Sequence, residues 1–359
     1  MPTVPIRVPG SLSRKSALVV LVLTAPWAWP ATGLPQEECR IPPSIAASRP
    51  DSVTGATPVY VGVYVIDLTH IEEAEKTFAG DVNFTLRWRD PRLSAVSLGR
   101  SLAGCPLTLD DIWDPAVSIV NLRNADRIES PSLSVDETGN VFHRERFYGR
   151  FTVALDLHDF PFDRQILPIT TIARNPTEEV ALLPDSTRTG MVNQPSLLGW
   201  TVQLGQAIEE PFLVPGLALS VPRLEQRLLA RRDSEFWLLK ALMPLGIVLL
   251  MASIVFWVDP LAYPRQVGFA FTSILTLIAY QFSINITMPE ISYLTRFDRF
   301  LIGASILVLL TMFEAVVAGS LAHSGKVEAA NRLNRWSRWI YLLAVLLLAL
   351  LTLGGGVRE

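Results

Sequence analysis

Charge is scarce in this chain, histidine and cysteine scarcer still, and each shortage closes off a class of function. Asp, Glu, Lys and Arg make up only 18% of 359 residues and the net charge is −3, so no basic surface for nucleic acid is expected. The four histidines, His70, His143, His158 and His323, are scattered. No His-Glu-x-x-His, phosphate-binding glycine loop, Gly-x-Ser-x-Gly or cysteine pair at metal-ligand spacing occurs. The adjacent carboxylates Asp110-Asp111 and Glu178-Glu179 would face opposite ways on a strand. The reading is therefore no enzyme, no cofactor and no bound metal. Two cysteines remain, Cys39 and Cys105. A bond between them and a pair of buried free thiols are both compatible with the sequence.

Half of the residues are hydrophobic, and they gather at the two ends. Arg14 and Lys15 precede an apolar run, Ala17 to Leu23, succeeded by small residues and prolines. That is the order of a secretory signal peptide, expected over residues 1–34. The run is too short for a span, which needs about 20 apolar residues to cross roughly 30 Å of hydrocarbon. Export would place the next domain where disulfides form.

Residues 35–232 read as short strands. In Phe151–Leu157, Phe151, Val153, Leu155 and Leu157 alternate with Thr152, Ala154 and Asp156, and Phe78–Trp88 has the same texture. Turn formers such as Thr138-Gly139-Asn140, Asn175-Pro176 and Pro215-Gly216 punctuate the runs, as in an antiparallel sandwich. Residues 233–359 change character. Four apolar stretches, about 236–258, 267–288, 300–322 and 336–353, are long enough to span a lipid bilayer, with Trp237, Trp257, Trp336, Trp339 and Tyr341 near their ends. The loop after the third stretch carries Lys326, Arg332, Arg335 and Arg338 against Glu328, which sets it in the cytoplasm and both termini outside. The expected fold is an α+β membrane protein: an extracellular antiparallel β-sandwich domain followed by a four-helix transmembrane domain. The expected location is multi-pass in a cell (inner) membrane, the N-terminal domain in the periplasm.

The second stretch is unusually polar, holding Thr272, Ser273, Thr276, Gln281, Ser283 and Asn285. Steps of four and three residues put Gly268, Thr272, Leu275, Ala279, Phe282 and Ile286 on one stripe. Facing water among copies of itself, such a stripe would line a pore that Leu275 or Phe282 closes by dewetting. A bundle helix whose hydroxyls bond back to its own backbone gives the same periodicity.

Leu155-Asp-Leu-His-Asp-Phe-Pro-Phe-Asp-Arg-Gln165, with Phe160-Pro161-Phe162-Asp163 at its centre, resembles the signature loop of the pentameric ligand-gated (Cys-loop) receptor superfamily. Trp88-Arg-Asp-Pro-Arg-Leu93, Ile112-Trp-Asp-Pro115, Gly199-Trp200, Pro244, the stretch Pro264–Thr276 and Met288-Pro-Glu-Ile-Ser-Tyr293 are similar to family motifs in the same order. Val153 and Leu167 stand where animal members carry the two loop cysteines. That departure, with the short link from Ala322 to Asn334, is similar to the bacterial branch.

The resemblance implies a homopentameric channel for inorganic ions, opened by a small-molecule or ion agonist bound between subunits. It implies selectivity at Arg265, where cation channels of the family place a glutamate; Arg265 with Pro264 and Gly268 looks like the anion-selective branch. A cation-selective or proton-gated channel, or a non-conducting membrane-anchored sensor, is the alternative. Coupling between domains is implied for Glu73, Phe160, Pro161, Asp163, Arg231 and Pro289, with Asp163 and Arg231 as an ion pair. Agonist contacts are implied for Asn83, Arg174 and Phe212, a set too poor in aromatics to cage a quaternary amine.

Overall fold

The structure, a computed structural model, describes residues 39–50, 55–216, 219–286 and 291–354. The expected signal peptide and Pro289 lie outside them. Eleven strands build two sheets among the described residues. The larger holds β1 (Thr57–Glu72), β2 (Thr77–Arg89), β4 (Leu122–Arg127), β5 (Ser132–Val135), β6 (Asn140–Thr152), β8 (Val180–Pro184) and β9 (Gly190–Met191). Its order is β4-β6-β2-β1-β8, with β5 on β6 and β9 on β1. The smaller runs β10-β11-β7-β3, from Trp200–Val214, Leu219–Arg232, Arg164–Ala173 and Val117–Ile119. Pairing is antiparallel except where β8 and β9 join β1 in parallel.

The core between the sheets comes from strand alternation. Val59, Val61, Val63 and Val65 of β1 are buried, and Val82, Phe84, Leu86 and Trp88 of β2 oppose them. Phe78 stacks on Phe151 at 5.0 Å, and Trp88 meets Trp113 edge-on at 6.3 Å. The alternating run that begins at Phe151 leaves the sheet after Thr152. Its inward side chains then diverge. Phe151 and Val153 stay in the sandwich core, while Leu157 is buried with helix residues and Leu155 packs against both clusters.

Cys39 and Cys105 are bonded, their Cα atoms 5.5 Å apart. The bond ties the segment before β1 to the loop before β3. Val153 and Leu167 are both buried in the sandwich core, so apolar packing holds the base of the signature loop.

Four helices come next, each long and apolar enough to cross a membrane: α1 (Glu235–Trp257), α2 (Tyr263–Asn285), α3 (Arg296–His323) and α4 (Val327–Leu353). Pro244 in α1 has no N–H for the carbonyl one turn back, and the wider π turn at Leu238–Leu242 lies immediately before it. α3 opens on a capping box between Thr295 and Asp298. Side chains close the end of α1: Gln266 and Asn334 donate their Nε2 and Nδ2 to the Val258 carbonyl at 3.1 and 3.2 Å, and Arg338 Nε donates to the Phe256 carbonyl. A Cβ on Gly319 would strike the Tyr263 ring, so α3 needs glycine where it meets α2.

Three helices start earlier than hydropathy places them, α3 among them, at Arg296 rather than about 300, where its capping box sets the start. α4 begins at Val327 rather than near 336, because its first turns are amphipathic and seat Ala330 and Asn334 against the bundle. α2 begins at Tyr263 rather than 267, with Pro264 in its first turn, where no N–H is required.

Removing the disulfide, with Cys105→Ser, is expected to cost about 2–5 kcal/mol of sandwich stability. Thermal unfolding of the purified protein with and without reductant measures it: the two treatments should differ for the parent chain and coincide for the variant.

Candidate functional site at the domain boundary

The sandwich meets the helices around one buried guanidinium. Arg232 ends β11, and the β period decides where it points. Leu228 and Ala230 face the core, Leu229 and Arg231 face out, and Arg232 faces in again. Its Nε donates to Asp163 Oδ1 at 2.8 Å and its Nη2 to Oδ2 at 3.3 Å, while Nη1 lies 3.0 Å from Glu73 Oε1. The expected partner of Asp163, Arg231, is therefore corrected to Arg232. Arg231 is exposed and sits in register opposite Arg164, also exposed.

Asp163 is 1% exposed and Arg232 6%. Charges this deep persist only when paired and hydrogen-bonded. The second carboxylate oxygen also accepts from Gln165 Nε2 at 2.7 Å, and the same amide group ties to the Asp156 backbone. The planar guanidinium lies over Trp200 at 4.1 Å and over Phe160 at 4.9 Å.

From this anchor the loop between β6 and β7 reaches the helices. Phe160, joined to Pro161 by a cis peptide bond, meets Trp237 of α1 edge-on at 4.8 Å and Phe297 of α3 at 6.4 Å. The Leu157 N–H donates to the Tyr293 hydroxyl at 2.9 Å, and the His158 ring stacks on Tyr293 at 3.9 Å. The Arg296 N–H donates to the His158 carbonyl, and Arg296 Nε pairs with Asp159 Oδ1 at 2.9 Å. Glu73, Phe160, Pro161 and Asp163 thus come together. Arg232, Gln165, Asp159, Trp237, Tyr293 and Arg296 join them, and sequence reasoning missed all six. Alternation along β11 could have found Arg232; the others needed the fold.

On α2, Gly268, Thr272, Leu275, Ala279, Phe282 and Ile286 are all exposed, whereas Gln266, Ala270, Ser273 and Leu277 pack inside the bundle. Thr272, Ser273 and Thr276 donate their hydroxyls to carbonyls four residues back, so these three hydroxyls are satisfied within the helix. Its exposed stripe, not its hydroxyl content, is the informative feature. Arg265 is exposed in the first turn.

The three expected agonist contacts are not brought together within one chain. The Asn83 side chain on β2 accepts from Arg144 Nε at 3.1 Å. Phe212 is exposed on β10. Arg174, just past β7, lines a cavity of its own sandwich.

Arg232→Ala should cost about 3–5 kcal/mol, because Asp163 is left buried and unpaired, whereas Arg231→Ala should stay within about 0.5 kcal/mol. Thermal unfolding of the two purified variants tests the register directly; equal losses would contradict it.

A model of the neurotransmitter-gated ion-channel ligand binding domain matches residues 46–194. The proton-gated ion channel of Gloeobacter violaceus is 26% identical over 323 residues, covering 87% of this chain and 86% of the relative. The gamma-aminobutyric acid receptor subunit rho-3 of Rattus norvegicus is 26% identical over 302 residues, 80% of this chain and 63% of its own length. The serotonin-gated chloride channel mod-1 of Caenorhabditis elegans is 26% identical over 266 residues, 71% of this chain and 54% of its own length. The chain therefore spans little more than half to two thirds of these animal relatives and most of the Gloeobacter one. The match is to channels rather than enzymes, and it runs from the sandwich through the helices: the chain is similar to the pentameric ligand-gated ion channels.

Proposed function

We propose that this chain is the subunit of a homopentamer, set in a bacterial inner membrane with the sandwich in the periplasm, whose five α2 helices line an ion path. The observation that carries the proposal is the division of α2 into two faces. One, through Gln266, Ala270, Ser273 and Leu277, packs within the chain; the other is exposed and carries the stripe Gly268, Thr272, Leu275, Ala279, Phe282 and Ile286, with Phe269, Phe271 and Ile278 exposed beside it. Five such stripes around an axis put small and hydroxylated residues at the inner end and apolar rings of Leu275, Phe282 and Ile286 towards the outer end. The apolar rings close the path by excluding water.

Agonist binding between subunits bears on α2 through the domain boundary, since the signature loop touches α1, α3 and Tyr293 together. Asn83 and Phe212 lie on different sheets, and the proposed agonist site takes one from each of two neighbouring copies. At the inner end, five copies of the exposed Arg265 form a positive ring that admits anions and repels cations. One of the relatives, a serotonin-gated chloride channel by name, agrees with that choice.

A second reading, in which the proton is the agonist, has one specific observation behind it. An ionisable pair lies at the boundary: His158 Nδ1 is 2.6 Å from Asp156 Oδ1 while its ring stacks on Tyr293. The Gloeobacter relative is proton-gated by name.

Purified protein in planar bilayers should pass current whose reversal potential tracks the chloride gradient; a reversal that tracks potassium would overturn the positive-ring assignment. Leu275→Ala should lower the half-activating agonist concentration by about tenfold, or about 1.4 kcal/mol in favour of the open state. Unchanged sensitivity would remove Leu275 from the gate. A pH step from about 8 to 5 that evokes current in the parent chain and none in His158→Gln would favour the proton.

A further inference from the structure

We propose that each chain binds the head group of a lipid of the phosphatidylethanolamine class where β7 and β11 meet the start of α1. A cavity of about 500 Å³ opens there, lined by Arg164, Arg231, Asp233 and Glu235 together with Phe162, Ser234 and the buried Arg232.

Strand register makes the site. β7 and β11 pair with Arg164 directly opposite Arg231, and both side chains are exposed on the face away from the core. Like charges set opposite each other on one face of a sheet repel. The next pair on that face, Ile166 and Leu229, is exposed and apolar, so it offers no acid. On the other side Arg231 stands beside Thr201, whose hydroxyl donates to Asp233 Oδ1 at 3.0 Å. Neither Arg164 nor Arg231 forms an ion pair or a side-chain hydrogen bond among the described residues. Arg232 is different, since Asp163 and Glu73 already meet its charge. Two guanidiniums are thus held side by side with nothing in the chain between them. Glu235, in the first turn of α1, is likewise exposed and forms no ion pair among the described residues.

Two free guanidiniums and two carboxylates in one cavity make a receptor for a zwitterion rather than for a simple anion. Phosphate oxygens suit the paired guanidiniums, which can grip them bidentately. A primary ammonium brings three N–H donors, which Glu235 and the remaining oxygen of Asp233 can accept. A choline group carries the same charge with no N–H to donate, and a glycerol head group has no cation, so ethanolamine matches best of the three.

Position makes the zwitterion a lipid's. The cavity includes the first residue of α1, a helix long and apolar enough to cross a membrane. Just below, Phe236, Leu239 and Met243 are exposed at steps of three and four residues, which sets them on one stripe. A head group in the cavity therefore leaves its acyl chains beside apolar side chains. Lys240 holds its Nζ 4.3 Å over the Phe236 ring, one turn back towards the head groups, as a lysine at this depth does. The site needs only that α1 cross a membrane. It is independent of the pore assignment, and lipid binding is measured on protein that passes no current.

Native mass spectrometry of the purified, delipidated full chain tests it, with dioleoyl-phosphatidylethanolamine, -phosphatidylcholine and -phosphatidylglycerol added in turn. One phosphatidylethanolamine per chain is expected, held about tenfold more tightly than either other lipid. Arg164→Gln and Arg231→Gln should each weaken it by about tenfold. Glu235→Gln should abolish the preference, so that the ethanolamine and choline lipids bind alike. Arg335→Gln, exposed on α4, should change nothing. All four substitutions are at exposed positions, where folding tolerates them. O-phosphoethanolamine, the head group without its chains, should compete about a hundredfold less well than the lipid; equal competition would make the ligand a soluble phosphoamine and overturn the lipid assignment. Equal binding of the three lipids to the parent chain, indifference to both cavity arginines, a preference that survives Glu235→Gln, or a loss in Arg335→Gln as large as in Arg231→Gln would each overturn the site.

Discussion

The contact on which the architecture turns is Arg232 between Asp163 and Glu73. A guanidinium buried this deeply is tolerable only with two carboxylates, flanking aromatic faces and a further amide donor on one of the acids, and the three charged groups come from different parts of the chain. Glu73 belongs to the turn after β1, Asp163 to the signature loop and Arg232 to the last residue of β11, just before α1. The requirement that one charge be satisfied therefore pins the bottom of both sheets to the chain entering the membrane. Uniform burial of apolar groups would not do this, since it has no direction; a bidentate pair does.

Around that pin, two apolar cores meet without merging. The loop between β6 and β7 sends Val153 into the sandwich and Leu157 and Phe160 into the helices, with Leu155 touching both. Tyr293 and Arg296, which precede and open α3, hold the same loop from below through backbone groups. The sandwich is thus in contact with α1, α3 and Tyr293 through aromatic rings and hydrogen bonds. No cysteine pair brackets the loop, and Val153 and Leu167 hold its base by burial alone; the one disulfide lies elsewhere, on the segment before β1.

Within the membrane the same accounting of polar groups separates structure from function. The carbonyls that end α1 are met by Gln266, Asn334 and Arg338, and the hydroxyls of Thr272 and Thr276 by the backbone of α2. The exposed stripe of α2 is unfinished within a single chain, and for that reason it carries the proposed function.

Much of this was legible in the residues alone. Alternation along β1 and β2, four apolar stretches of spanning length and the Phe160-Pro161-Phe162-Asp163 core are local patterns, and local patterns report element type and order. The stripe on α2 was readable for the same reason, since helical period fixes which residues share a face. Where the reading failed, the deciding quantity was not local. Arg231 and Arg232 are chemically identical neighbours, and only the register of β11 against β7 says which one enters the core. Whether Cys39 reaches Cys105 depends on how the chain across a separation of 66 residues folds. That Arg174 lines a cavity of its own sandwich follows from the pairing of β3 with β7, which no local pattern shows. Tyr293 and Arg296 gained their roles only because the signature loop comes to rest on them. Sequence by itself determined the elements, their order and the faces they present; tertiary structure decided which charge is buried and which groups meet, because those depend on distances between residues far apart in the chain.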